Sequence, residues 1–254
     1  MACLIFGGQA LFAQAASYGD LKQMTFEVRL DKDHYARWEP IWITFKLSNL
    51  SGTTLRGEIP NFLGESQLKV ASAGKSHICR SLSAVSGSGG IKIPSNFGPN
   101  WSTETSSLLA PSFVDACLQE SGEYELQFLI DDPYGVTTLK SNPIKIEISE
   151  PTGNNKKAVE FMEAHKNFFG LSAWAPRSKD ERSLLEEFVQ RYGSTPYGEI
   201  ATLTLASIYS VENEFEKAKK LLNGLMDSGN TFVASSARRS LHEVNERSRN
   251  VQKP

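Results

Sequence analysis

At 254 residues, with 40% hydrophobic and 22% charged side chains, the chain is long enough for two ordinary domains and too apolar to be disordered throughout. A net charge of -2 supplies neither a basic field for nucleic acid nor a polyanionic character. A nucleic-acid partner is therefore not expected.

The first stretch, Met1 to Ala16, carries the apolar run Ala-Cys-Leu-Ile-Phe-Gly-Gly-Gln-Ala-Leu-Phe-Ala followed by Ala13-Gln14-Ala15. Small residues around Gln14 suit signal-peptidase cleavage, and the run is too short to cross a bilayer as a helix. Residues 1–15 are expected to be an export signal, although no Lys or Arg precedes the run. A buried first strand or helix is the alternative. With the signal removed no transmembrane segment is expected, and the chain reads as periplasmic or secreted. That leaves Cys79 and Cys117. In an exported chain they suit a disulfide closing a loop of 38 residues, worth about 3–4 kcal/mol. Two buried free thiols are the competing reading.

From Met24 to Leu30, apolar Met24, Phe26, Val28 and Leu30 alternate with Thr25, Glu27 and Arg29, the period of a half-buried strand. After the charged turn Asp31-Lys32-Asp33, a second strand alternates through Ile41, Ile43, Phe45 and Leu47. Further strands are predicted at 67–71, 77–82, 106–109, 124–130, 136–139 and 144–148, separated by Gly, Pro, Ser and Asn clusters. Seven or eight short strands over about 130 residues predict an antiparallel β-sandwich spanning 20–150. Trp38, Trp42 and Trp101 form a conceivable sugar-stacking platform, with Trp101 in an aromatic loop at 96–101. Against it, Trp42 reads as covering a sheet face and Trp38 as capping an edge.

Leu30 to Tyr35, Trp38 to Ile41 and Phe45 to Asn49 resemble the opening strands of bacterial immunoglobulin-like envelope domains. Ser121 to Leu126 and Ser141 to Ile146 resemble their last hairpin. Tyr124, just after a Gly turn, is placed to act as a tyrosine corner.

Glu150 to Asn155, with Pro151 and Gly153, marks the composition break. Beyond it Ala158, Phe161, Met162, His165, Phe168 and Phe169 fall on one helical face. Ser178-Lys179-Asp180-Glu181 reads as a capping box, and Leu184, Leu185, Phe188, Val189 and Tyr192 form the next stripe. Glu199 to Asn230 holds two apolar helical patterns around a polar turn, a helical hairpin. Leu205-Ala206, Tyr209, Phe215 and Ala218 resemble the tetratricopeptide spacing, and Pro196 and Asn230 lie one 34-residue repeat apart. A final helix with Phe232, Val233, Ala237, Leu241 and Val244 is expected to cap the stack. The fold class that emerges is multi-domain: an all-β immunoglobulin-like sandwich followed, over 156–248, by all-α tetratricopeptide-like hairpins.

The tetratricopeptide resemblance implies a peptide groove faced by Leu203, Ser207 and Ser210. Packing of the same helices on the sandwich is the equal alternative. Leu and Ser stand where carboxylate clamps use Lys and Asn, so a clamp is not expected. No motif carries a reaction. The histidines His34, His77, His165 and His242 are scattered, and no Cys-x-x-Cys or His-Glu-x-x-His pattern exists, so no metal and no cofactor are expected. His77 and Cys79 share a strand face, and Ser72 to Lys75 fits Ser-x-x-Lys by chance. Asp31, Asp33, Asp131 and Asp132 are turn carboxylates, with Ca²⁺ the sharper reading and simple solvation the blander one. The expected role is a non-catalytic protein–protein interaction or scaffold protein of the bacterial envelope, with a protein or peptide partner. The alternative is a glycan or small-ligand module using Trp101 and its neighbours.

Overall fold

The structure, a computed structural model, describes residues 23–57, 66–79, 95–109, 117–118, 120–131, 138–165 and 179–251. The expected signal segment, Phe168 and Phe169, and Ser178 of the capping box lie outside them. Strands occupy the N-terminal half and helices the C-terminal half.

Alternating burial of Met24, Phe26 and Val28 produces β1 (Met24–Leu30). It pairs antiparallel with β3 (Ile41–Asn49), which pairs on its other side with β8 (Ser102–Leu109). The turn between β1 and β3 is not a simple hairpin. The chain crosses to a second sheet, forms β2 (His34–Ala36), and returns. That second sheet runs β2, β11 (Ile144–Ser149), β9 (Gly122–Asp131), β5 (Ser66–Ser72), β6 (Lys75–Cys79), with β10 (Thr138–Lys140) also on β9. Its β2–β11 pair is parallel, against the all-antiparallel expectation. A small β4 (Leu55–Gly57) and β7 (Ser95–Phe97) pair beside them. Three-residue strands such as β2, β4 and β7 are too short to show a period of two, which is why the sequence does not announce them.

The two sheets meet face to face. Phe26 and Phe45 stack at 6.1 Å, and Phe45 meets Phe128 of the opposite sheet edge-on at 5.5 Å. Two polar devices close the ends. Fully buried Asn49 donates to the carbonyls of Thr53 and Phe97 and accepts from the Ser51 amide, holding the 96–101 loop down. The Tyr124 hydroxyl donates to the Glu120 carbonyl at 2.7 Å and accepts from the Glu120 amide at 3.2 Å. Cys79, at the end of β6, is disulfide-bonded to Cys117, Cα atoms 6.1 Å apart.

Among the described residues the helices are α1 (Gly153–Ala164), α2 (Lys179–Tyr192), α3 (Pro196–Val211), α4 (Phe215–Leu225) and α5 (Thr231–Val251). Thr195 caps α3 by accepting from the Gly198 amide, with Pro196 at the first helical position where its missing N–H costs nothing. Ala206 and Ala218 are fully buried where α3 and α4 meet, and Tyr209 and Phe215 are buried beside them. The helical core is completed by the sandwich: Trp42 belongs to it, with Trp38 and Leu108 packed against its edge.

Gly198 sits where a Cβ would lie 1.8 Å from the Tyr192 carbonyl oxygen, so Gly198→Ala should cost about 3 kcal/mol through forced backbone movement. Gly224, with nothing within 4 Å of the same position, should tolerate Ala with a gain of about 0.5–1 kcal/mol. Urea unfolding of the two variants reads both signs. In the same assay Tyr124→Phe, which removes the hydroxyl bonded to Glu120, should cost about 1 kcal/mol.

Candidate interaction site

On β9 and β11 the alternation that buries Tyr124, Ile146 and Ile148 sends Glu123, Glu125, Lys145 and Glu147 outward to solvent. Register then sets these charges side by side. Glu147 lies beside His34 of β2 on one flank and Glu123 of β9 on the other, and Lys145 lies opposite Glu125. The β5–β6 turn closes the end of the row. Ala73 and Gly74 both have positive φ, at 48° and 76°, forming a two-residue turn, and the Ser72 hydroxyl donates to the Glu123 carbonyl at 2.9 Å. The result is a groove of about 550 Å³ lined by Asp33, His34, Glu123, Glu125, Lys145 and Glu147 over the turn residues.

The His34 ring is clamped between two carboxylates, Nδ1 at 2.6 Å from Asp33 and Nε2 at 3.0 Å from Glu147. Both nitrogens have an acceptor, which suits the doubly protonated ring. The hydrogen bond to Asp33 and then its charge hold the His34 pKa above its ordinary 6.5, and the same bond holds Asp33 below the usual carboxylate range. Glu123 faces Glu147 directly, a like-charge cross-strand pair, and no cation among the described residues pairs with Glu123. Chemically the groove can hold a cationic group. Among the described residues no cluster of His, Cys, Asp or Glu is arranged to hold a metal ion.

The residues singled out from sequence are distributed differently. On α3, Ser207 is exposed, Leu203 is half-buried against the helical core, and Ser210 is buried, so the three do not present one open row. Trp101 is half-buried and lies on Phe97 at 4.5 Å. Trp42 is buried under the helices and Trp38 packs at their edge, so the three rings share no stacking platform. Cys79 is bonded to Cys117 and unavailable to His77 as a nucleophile. Ser72 to Lys75 is the hairpin turn itself, without the helix start that Ser-x-x-Lys chemistry needs. Asp31 is occupied by protein donors from Tyr35, Trp42 and Asn230, and Asp33 by His34, which leaves neither as a free loop ligand.

The charges between Glu212 and Lys220 are partly organised by Arg182 of α2. Its guanidinium pairs with Glu186, Glu212 and Glu214, and Tyr209 donates to Glu186 at 2.9 Å. The hydrogen bonds that Arg182 donates to Glu214 and then Glu186 raise its pKa further. This network ties α2 to the α3–α4 turn. The groove residues themselves escaped sequence reasoning because the outward charges of β9 and β11 become neighbours only once register is known.

No family model matches the chain, and no curated protein does. Similar solved structures include a CARDB domain from Pyrococcus furiosus, 10% identical with a TM-score of 0.28, covering 51% of this chain and 96% of that one. Spo0M, the sporulation control protein from Bacillus subtilis, is 11% identical with a TM-score of 0.30, covering 56% of each chain. A β-glucosidase from Listeria innocua, in complex with glucose, is 8% identical with a TM-score of 0.29; the match covers 51% of this chain and 17% of that one. These similarities are too slight to bear on the function of this chain. No described helix is long and apolar enough to cross a membrane.

The groove generates a pH prediction. His34 is favoured in its charged form, so its clamp on β2 and β11 is present below 6.5 and is lost as pH rises through the higher folded-state value. Ring-proton NMR should give a His34 midpoint above 6.5 that falls toward 6.5 in Asp33→Asn. A midpoint unchanged by that substitution would show that Asp33 does not set it.

Proposed function

We propose that the chain is an exported, non-catalytic interaction or scaffold protein of the bacterial cell envelope, built from an immunoglobulin-like sandwich and a short tetratricopeptide-like helical unit. The immunoglobulin-like reading is supported by the two facing sheets and by the Tyr124 hydroxyl bonded to backbone four residues upstream. The tetratricopeptide-like reading is supported by buried Ala206 and Ala218 at the α3–α4 contact and by Tyr209 and Phe215 filling the space beside them. Export to an oxidising compartment is supported by the apolar N-terminal run and by the Cys79–Cys117 disulfide.

Partner binding rests on one observation, the Glu123–Glu147 pair. Two like charges directly opposite on a solvent-facing sheet destabilise it; His34 offsets Glu147, and a cationic partner would relieve the cost that remains at Glu123. Arrangements that break a local rule concentrate at functional sites. The partner is then a protein or peptide presenting Lys or Arg to the groove. The Ser207 face of α3 is too small and too discontinuous to be the primary site.

Immobilised full-length chain should capture an envelope protein from a matched extract at low salt, with capture falling at least about tenfold in the Glu123→Lys variant and at high salt. Capture indifferent to both would remove the groove from the interaction. Glu123→Lys sets a cation opposite Glu147 and should leave urea stability equal to or above the parent, which separates lost binding from lost fold.

A further inference from the structure

Between the sandwich and the helices a single amide performs two tasks. Asn230 precedes α5, and its Oδ1 accepts from the amides of Phe232 at 3.0 Å and Val233 at 3.2 Å, the bonds of a helix N-cap. Its Nδ2 simultaneously donates to Asp31 Oδ2 at 3.0 Å, across 199 positions of chain. The other oxygen of Asp31 is already committed, accepting from the Tyr35 hydroxyl at 2.7 Å and the Trp42 amide at 3.3 Å. On the helical side the chain continues, because the Asn230 amide donates to Ser228 Oγ and Ser228 donates to Glu199 of α3 at 2.6 Å. Beside this line Phe232 stacks on Trp42 at 5.7 Å, with ring planes 11° apart.

Capping alone does not require asparagine, since Asp and Ser serve equally well at that position. Asparagine is set apart by having an acceptor for the helix and a donor for the carboxylate together. We infer that Asn230 is a docking latch that makes the start of α5 conditional on the sandwich being in place, and that Asp31, held by Tyr35 and the Trp42 backbone, is its receiving half. The coupling is local and reciprocal. Losing the Asp31 bond frees the cap to swing, and losing the cap removes the donor from Asp31.

The test uses the full chain and exchanges the two side chains. In Asn230→Asp the cap is chemically preserved, but two carboxylates now oppose each other across the seam. Far-ultraviolet circular dichroism at 222 nm should show helix melting about 5 °C earlier than in the parent, ahead of the tryptophan fluorescence transition. The folded-state emission should shift to the red as Trp42 loses Phe232. In Asp31→Asn, Asn230→Asp every bond can re-form with the donor on the other side: residue 31 still accepts from Tyr35 and Trp42, and residue 230 still caps α5. That variant should restore the parental midpoint and emission. If Asn230 is a cap and nothing more, the single variant will match the parent; if it merely needs its native shape, the exchanged pair will be as damaged as the single. Either result overturns the latch. Should Asn230→Asp fail to fold, recovery of folding in the exchanged pair supports it and continued failure overturns it.

Discussion

The burial of β3 on both faces is the constraint from which the rest follows. A strand of a two-sheet sandwich ordinarily keeps one face in water, and its sequence then alternates cleanly. In β3 the inward residues Ile41, Ile43, Phe45 and Leu47 fill the space between the sheets, while outward Trp42 is covered by helices. Trp42 is therefore a member of the helical core contributed by the sandwich. Leu108, its cross-strand partner on β8, and Trp38 extend that contact. A few short helices cannot bury all their apolar faces on one another, and here the shortfall is met by a sheet.

The polar groups around this contact satisfy what the apolar contact alone would strand. The Tyr197 hydroxyl, whose pKa is pushed above its ordinary range by burial and then by the Glu39 charge, donates to the Arg37 carbonyl at 2.7 Å. Arg37 itself reaches Glu150 and Glu163 at 3.7 and 3.5 Å, bridging the end of the sheet and α1. Buried Glu39 accepts from the Ala36 amide and pairs with Lys32. The stretch from Asp31 to Trp42 thus carries both a strand of the second sheet and contacts to α1, α3 and α5.

How much of this was readable from the sequence depends on range. β1 and β3, Tyr124 and the α3–α4 hairpin are encoded by local periodicity or by a side chain bonding a few residues away, and they could be placed from the residues alone. Trp42 was readable as covering a face, but what lies on that face is decided by residues almost two hundred positions later. The charged groove was not readable, because Glu123 and Glu147 sit on different strands and a one-residue slip in register would separate them. The parallel β2 was hidden for a similar reason, since a three-residue strand gains its identity from its neighbour β11. Leu203, Ser207 and Ser210, grouped by the tetratricopeptide resemblance, differ in burial in the assembled layer, where packing half-covers the first, exposes the second and buries the third.

The chain separation of the seam contacts has a consequence for biosynthesis. Arg37 and Tyr197 are 160 positions apart, and Asp31 and Asn230 are 199 apart. During synthesis the sheets can assemble once β11 has emerged, whereas Phe232, which covers Trp42, arrives roughly eighty residues later. In that interval the nascent sandwich presents an aromatic patch to its surroundings, next to an edge that has not yet met its helices. Contacts of such long range also form slowly once the chain is free. The molecule therefore passes through a stage in which Trp42 has no apolar cover, and that stage ends only when α5 arrives.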